Sequence, residues 1–204
     1  MSYEPTGDEA YRYSTAIAGI FFVGLLLAIV VWITPGIRVR DVVRLRRQTW
    51  PRNVWALRAP ASWPWALKAG AVFVVAAFVL TPVYDRVFGP FEGDPTIATF
   101  WDGSRALQFL LNFLVVAVLV PVQEELTYRG LGFVLLERFG TWFAVVGTGL
   151  LFALAHGYVG LLPVFLAAGI AFGWLRARTG SIYPGMLVHG TFNGLVVLGS
   201  LVLG

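Results

Sequence analysis

Long apolar runs separated by short polar connections set the architecture of this 204-residue chain. Ala16 to Ile33 is apolar throughout and long enough to cross the roughly 30 Å of bilayer hydrocarbon at about 1.5 Å per helical residue. It closes at Thr34-Pro35-Gly36, residues that commonly end a helix. The same pattern predicts a second span from Ala66 to Pro82. A third starts near Ala106, passes through Leu110 to Val120 and continues as one helix to about Phe139, with Gly140 marking the turn. Spans four (Trp142 to about Tyr158), five (Leu162 to Leu175) and six (Tyr183 to Leu203) follow.

Composition turns this pattern into a class. Hydrophobic residues make up 58% of the chain and charged residues 13%, and the mean hydropathy is +0.76. That balance excludes an ordinary soluble domain. The expected fold class is all-α: a polytopic membrane helical bundle of about six transmembrane helices. Residues 1–204 are expected to form a single integral membrane domain, with the chemistry in a core of about 106–204 and a basic loop at about 35–65. There is no cysteine, which removes disulfides, thiolate catalysis and cysteine-ligated metal centres.

Charge orients the spans. Arg38, Arg40, Arg44, Arg46, Arg47, Arg52, Arg58 and Lys68 face only Asp41 in the first long connection, which reads as a cytoplasmic loop under the positive-inside rule. Concentrated in one loop rather than along a folded face, this charge points to no nucleic acid; anionic lipid is the partner it could recruit. The connection from Val83 to Arg105 holds Asp85, Glu92, Asp94 and Asp102 against Arg86 and Arg105 and is expected outside. The basic connections 137–138 and 176–178 then fall on the same side as 38–68, with both termini outside. Trp32, Trp63, Trp65, Trp101, Trp142 and Trp174 lie near span ends, where amphipathic rings favour the headgroup region. Glu4, Asp8 and Glu9 precede the first run in place of a basic n-region, so that run is expected to stay in the mature protein.

Ionisable groups in such apolar surroundings need a reason. The chain has two histidines, His156 and His189, and an acidic pair, Glu124-Glu125, all in apolar helical stretches. Around a hairpin turning at Gly140, Glu124 lies as far before the turn as His156 lies after it, about 24 Å in each case. His189 reaches the same level if span four continues about one turn past His156. Residues four apart share a helical face, which pairs Glu125 with Arg129, Glu124 with Tyr128, Phe152 with His156 and His189 with Asn193. A Glu125–Arg129 pair would leave Glu124 as the chemically available carboxylate, suited to general-base work. Two histidines and a glutamate could also ligate zinc with water in the fourth position, through Glu124, His156 and His189. No His-Glu-x-x-His motif is present, and the reading leans towards metal-free chemistry, with no cofactor firmly expected.

At these residues the chain resembles the CPBP family of intramembrane proteases, which includes the type II CaaX prenyl endopeptidases and the bacteriocin-immunity-like membrane proteins. The resemblance rests on Glu124-Glu125-x-x-x-Arg129, Phe152-x-x-x-His156 and His189-x-x-x-Asn193, in order and without substitution; the first two spans carry no such signature. It implies a catalytic cavity open to the cytosol and the lipid. Glu124 would be the base, and His156 would orient the attacking water. His189 and Asn193 would stabilise the oxyanion, while Glu125, Arg129 and Phe152 would be structural or substrate-positioning. Family members are described both as metalloprotease-like and as glutamic endopeptidases. The implied activity is hydrolysis of a peptide bond in a peptide or membrane protein near the cytosolic leaflet. The short loops look like those of a prokaryotic plasma-membrane member. Two other classes fit the same residues: a non-catalytic binding protein of the bacteriocin-immunity type, and a proton-coupled transporter with a Glu/His relay.

Overall fold

The computed structural model describes residues 11–33, 55–89 and 100–203. Arg38 to Arg52 of the basic loop, together with Glu4, Asp8, Glu9, Glu92 and Asp94, lie outside the described residues. Among those described, the regular elements are helices and there is no strand. In hydrocarbon this is the expected solution, because a helix satisfies its backbone groups within one segment.

The helices are α1 (Tyr13–Ile33), α2 (Trp63–Phe88), α3 (Gly103–Glu137), α4 (Thr141–Ala155), α5 (Leu162–Thr179) and α6 (Tyr183–Leu203). Both α2, with 26 residues, and α3, with 35, are long and apolar enough to cross a membrane; α4 is a shorter apolar helix. Much of α2 presents large apolar side chains outward, Val72, Val75, Val79 and Val87 each being more than 60% exposed. An apolar face this extensive belongs against lipid. The all-α membrane class expected from the sequence is borne out.

Local chemistry sets the helix ends. Ser62 caps α2 by accepting the Trp65 N–H at 3.3 Å, and Pro64 occupies its first turn. Pro82, expected to end this span, lies inside a helix that runs on to Phe88. Asp102 caps the start of α3 through the Ser104 N–H. At the far end of α5, Gly180 adopts φ +67° and returns its N–H to Arg176 O at 2.9 Å, while Arg176 and Arg178 place positive charge on the last turn. The chain therefore stays helical to Thr179, beyond the expected limit at Leu175.

The described residues divide into two compact units, with the divisions falling inside α3 and α6. The first contains α1, α3 up to Gln123 and α6 from His189. Its core gathers Tyr11, Phe109 and Val197, with Phe113, Val116 and Leu201 packed around them. Tyr11 OH donates to Phe100 O at 2.6 Å, and the Arg105 guanidinium lies 4.3 Å above the Tyr11 ring.

The second unit contains α2, α3 from Glu124, α4, α5 and the start of α6. A three-residue turn makes α3 and α4 an antiparallel hairpin, closed by Phe133, Ala144 and Val145. Helices α4 and α5 touch backbone to backbone: a Cβ on Gly169 would lie 2.7 Å from Gly149 Cα. Residues 55–61 are strapped onto the end of α5. Ala61 N–H donates to Thr179 O, Ile182 N–H to Ala56 O, Arg58 Nε to Gly180 O and Ser181 Oγ to Arg58 O. Where this strap meets α3, the Trp55 ring lies so close to Gly130 that a Cβ there would meet Cε3 at 2.9 Å.

Candidate active site

Glu124 opens a departure from α-helical geometry. From Glu125 to Gly132 the third helix is wound as a π-helix, and a second π stretch covers Val115–Leu119. Such insertions widen the turn and frequently mark functional sites. Glu125 and Arg129 pair within the first of these, Oε1 to Nη1 at 3.2 Å, and neither side chain is exposed. Arg129 Nη2 also donates to Gly169 O at 2.9 Å, and its guanidinium lies 4.6 Å from the Phe152 ring centroid and 5.2 Å from that of Phe172. With the Tyr128 ring 5.7 Å away as well, the charge is compensated by one carboxylate, one carbonyl and three aromatic faces. Phe152 is itself part of the buried cluster with Phe172, Leu175 and Val188.

Glu124 is half-buried. One turn further on, the Tyr128 ring packs edge-on against Phe152 with centroids 5.6 Å apart. His156 lies one turn beyond Phe152 on the antiparallel α4. Glu124 and His156 are therefore each one turn from the Tyr128–Phe152 contact, in the same direction along the hairpin.

His156 is held as a cap. Its Nδ1 lies 2.7 Å from Phe152 O, its ring stacks on Phe165 at 3.9 Å, and Phe152 lies 4.5 Å away at a tilt. Since a carbonyl only accepts, Nδ1 must carry the proton, leaving Nε2 as the ring's acceptor. The expectation that span four continues past His156 to about Tyr158 is corrected: α4 ends at Ala155. The His156 N–H turns to Ala153 O and the Gly157 N–H to Leu154 O, and the chain leaves at Gly157 with φ +73°. This tightening ends the helix.

His189 and Asn193 belong to the first unit, Glu124 and His156 to the second. His189 is buried, at 5% exposure, and Asn193 Nδ2 donates to Val116 O at 3.0 Å. Within either unit, no group of three or more His, Asp or Glu among the described residues is placed to hold a metal ion. Sequence reading missed Arg176, which it assigned only to a basic connection. That side chain is 7% exposed, lies 4.9 Å above the Phe133 ring and donates from Nε to Arg129 O at 3.2 Å. The π register explains the last contact: Phe133 N–H serves Tyr128 O and Gly130 O, passing over Arg129 O.

These features define an all-α membrane protein that buries an ion pair and holds a half-buried capping histidine along one helical hairpin. Residues 106–195 match the family described as type II CAAX prenyl endopeptidase Rce1-like, and the resemblance drawn from the three motifs is borne out. The chain is 25% identical over 146 residues to the membrane-embedded CAAX protease MroQ of Staphylococcus aureus (strain USA300), covering 68% of this chain and 58% of that protein. It is 24% identical over 135 residues to the putative membrane peptidase YdiL of Bacillus subtilis (strain 168), covering 66% of this chain and 54% of the relative. It thus spans little more than half the length of either. No solved structure matches it.

Proposed function

We propose that the chain is an intramembrane endopeptidase of the plasma membrane that hydrolyses a peptide bond near the cytosolic leaflet, with both termini outside. The observation that carries this reading is the common level of Glu124 and His156 one turn from the Tyr128–Phe152 contact, with His156 Nε2 as acceptor. The family match over the motif-bearing segment supports it. In the proposed reaction, a water donates one proton towards Glu124 and the other towards His156 Nε2, which leaves an oxygen lone pair for the substrate carbonyl. Glu124 takes the proton as the carbon–oxygen bond forms, and passes it to the leaving amine as the carbon–nitrogen bond breaks. His189 and Asn193 take the oxyanion role that the family resemblance implies, by donating hydrogen bonds to the developing negative charge.

The buried Glu125–Arg129 pair holds the helix that presents Glu124, and Phe152 links that helix to His156. Zinc bound by Glu124, His156 and His189 is the alternative means of activating water. The substrate is a peptide or membrane protein reached through the bilayer, and the basic loop adds an affinity for anionic lipid.

The test is cleavage of quenched lipidated and transmembrane peptides by purified wild type and Glu124→Gln, with and without a strong chelator. The expected result is turnover by wild type, a loss of about 100-fold or more in the variant, and no effect of the chelator. Chelator-sensitive turnover would move the mechanism to the metal form. No turnover by a folded wild type would favour the non-catalytic binding role.

A further inference from the structure

Pro121 lies in α3 outside all three motifs, with less than 2% of its surface exposed. Just before it, the π stretch Val115–Leu119 ends with the Val120 N–H donating to Val115 O, five residues back. The next carbonyl in that register, Val116 O, would need an N–H from residue 121. Proline has none. A carbonyl left without a donor at membrane depth is costly, so something must supply one. Asn193 does, from Nδ2 at 3.0 Å. The acceptor also fixes the amide's orientation, because only the nitrogen can face a carbonyl.

The helix carrying Asn193 approaches the opened turn closely. A Cβ on Gly190 would lie 2.5 Å from Ala117 O, and one on Gly194 would lie 3.6 Å from Ala117 Cβ. The α6 face that bears the motif is therefore seated directly on the carbonyls that precede Pro121.

We infer that Pro121 is the positioning residue of the His189-x-x-x-Asn193 motif: by withholding an N–H it frees Val116 O to dock the Asn193 amide. The dock fixes the rotation of α6 and, with it, the direction of His189 one turn earlier on the same face. One amide N–H of Asn193 is engaged in this way; the second is the one that the proposed oxyanion role would use. Only the kinetic part of the test rests on the protease reading.

The test is a double-mutant cycle on thermal midpoints in detergent, using wild type, Pro121→Ala, Asn193→Ala and the double variant. In the wild-type background Asn193→Ala should lower the midpoint by about 5 °C, since Val116 O loses its donor. In the Pro121→Ala background, where residue 121 now offers an N–H, the same change should shift it by less than about 1 °C. Equal drops in both backgrounds overturn the inference. Asn193→Leu, similar in size but without a donor, should fall as far as Asn193→Ala, and a wild-type midpoint for it is equally fatal. This variant decides the matter if Pro121→Ala does not fold. With a cleavable peptide, Pro121→Ala should keep its midpoint and KM but lose about 10- to 100-fold in kcat; unchanged kcat rules out positioning. A wild type without turnover would count against the protease reading alone, because the thermal cycle still decides the dock.

Discussion

Glu125 Oε1 lies 3.2 Å from Arg129 Nη1 with neither side chain exposed, a compensated ion pair inside a helix at the centre of the motif region. Removing one partner strands the other charge, at a cost of about 3–5 kcal/mol. Glu125→Gln and Arg129→Gln are therefore each expected to lower the thermal midpoint by about 10 °C. The double variant should lose less than the two singles combined, because no unpaired charge remains. Tryptophan fluorescence during heating in detergent would measure this, and strict additivity would contradict the pairing.

Gly149 and Gly169 leave no room for a side chain between α4 and α5. A Cβ on Gly169 would lie 2.7 Å from Gly149 Cα and 2.8 Å from its oxygen, and the Gly169 carbonyl is also an acceptor for Arg129 Nη2. Gly169→Ala should cost about 1–3 kcal/mol through overpacking, more if the Arg129 contact is displaced. Gly24→Ala, with nothing within 4 Å, should be neutral or slightly stabilising. Comparable midpoints for the two variants would refute the close approach.

Asp102 gives the protein a defined acid response at the start of α3. The side-chain and backbone bonds from Ser104, at 2.6 and 3.0 Å, hold its carboxyl below the usual 3.8. A depressed pKa means that this stabilisation is complete above the unfolded value and is lost as pH falls through the folded one. Asp102→Asn keeps a capping oxygen but cannot titrate. The midpoint advantage of wild type over this variant should be constant from neutrality down to about pH 4 and shrink below it. An advantage that grows on acidification would be inconsistent with the cap.

The helix positions were legible because each apolar run ends in residues with a physical reason to stop or turn. The sixth span, Tyr183 to Leu203, matches its expected limits. The i,i+4 pairing of Glu125 with Arg129 was equally visible from spacing. What spacing does not encode is the π winding, since the register depends on which distant groups donate to the freed carbonyls. Asn193 takes Val116 O and Arg176 takes Arg129 O, each across a long stretch of sequence. Pro82 reads locally as a break, yet it lies within a continuous helix. The end of α4 was also hidden, because it depends on a histidine side chain competing with its own backbone for Phe152 O.

His156 offers the sharpest spectroscopic prediction. Its Nδ1 is 2.7 Å from a carbonyl that can only accept, and its ring is fixed between Phe152 and Phe165. Neutral imidazole in this setting must be the Nδ1–H tautomer, so nitrogen NMR of labelled protein should show a pyrrole-type Nδ1 and a pyridine-type Nε2. The opposite assignment would break the proposed water-holding geometry. Function should follow the same atom. His156→Ala removes the Nε2 acceptor while leaving Glu124 in place, and is expected to reduce kcat by about 100-fold with little change in KM. A variant that raised KM alone would instead make His156 a substrate-binding group.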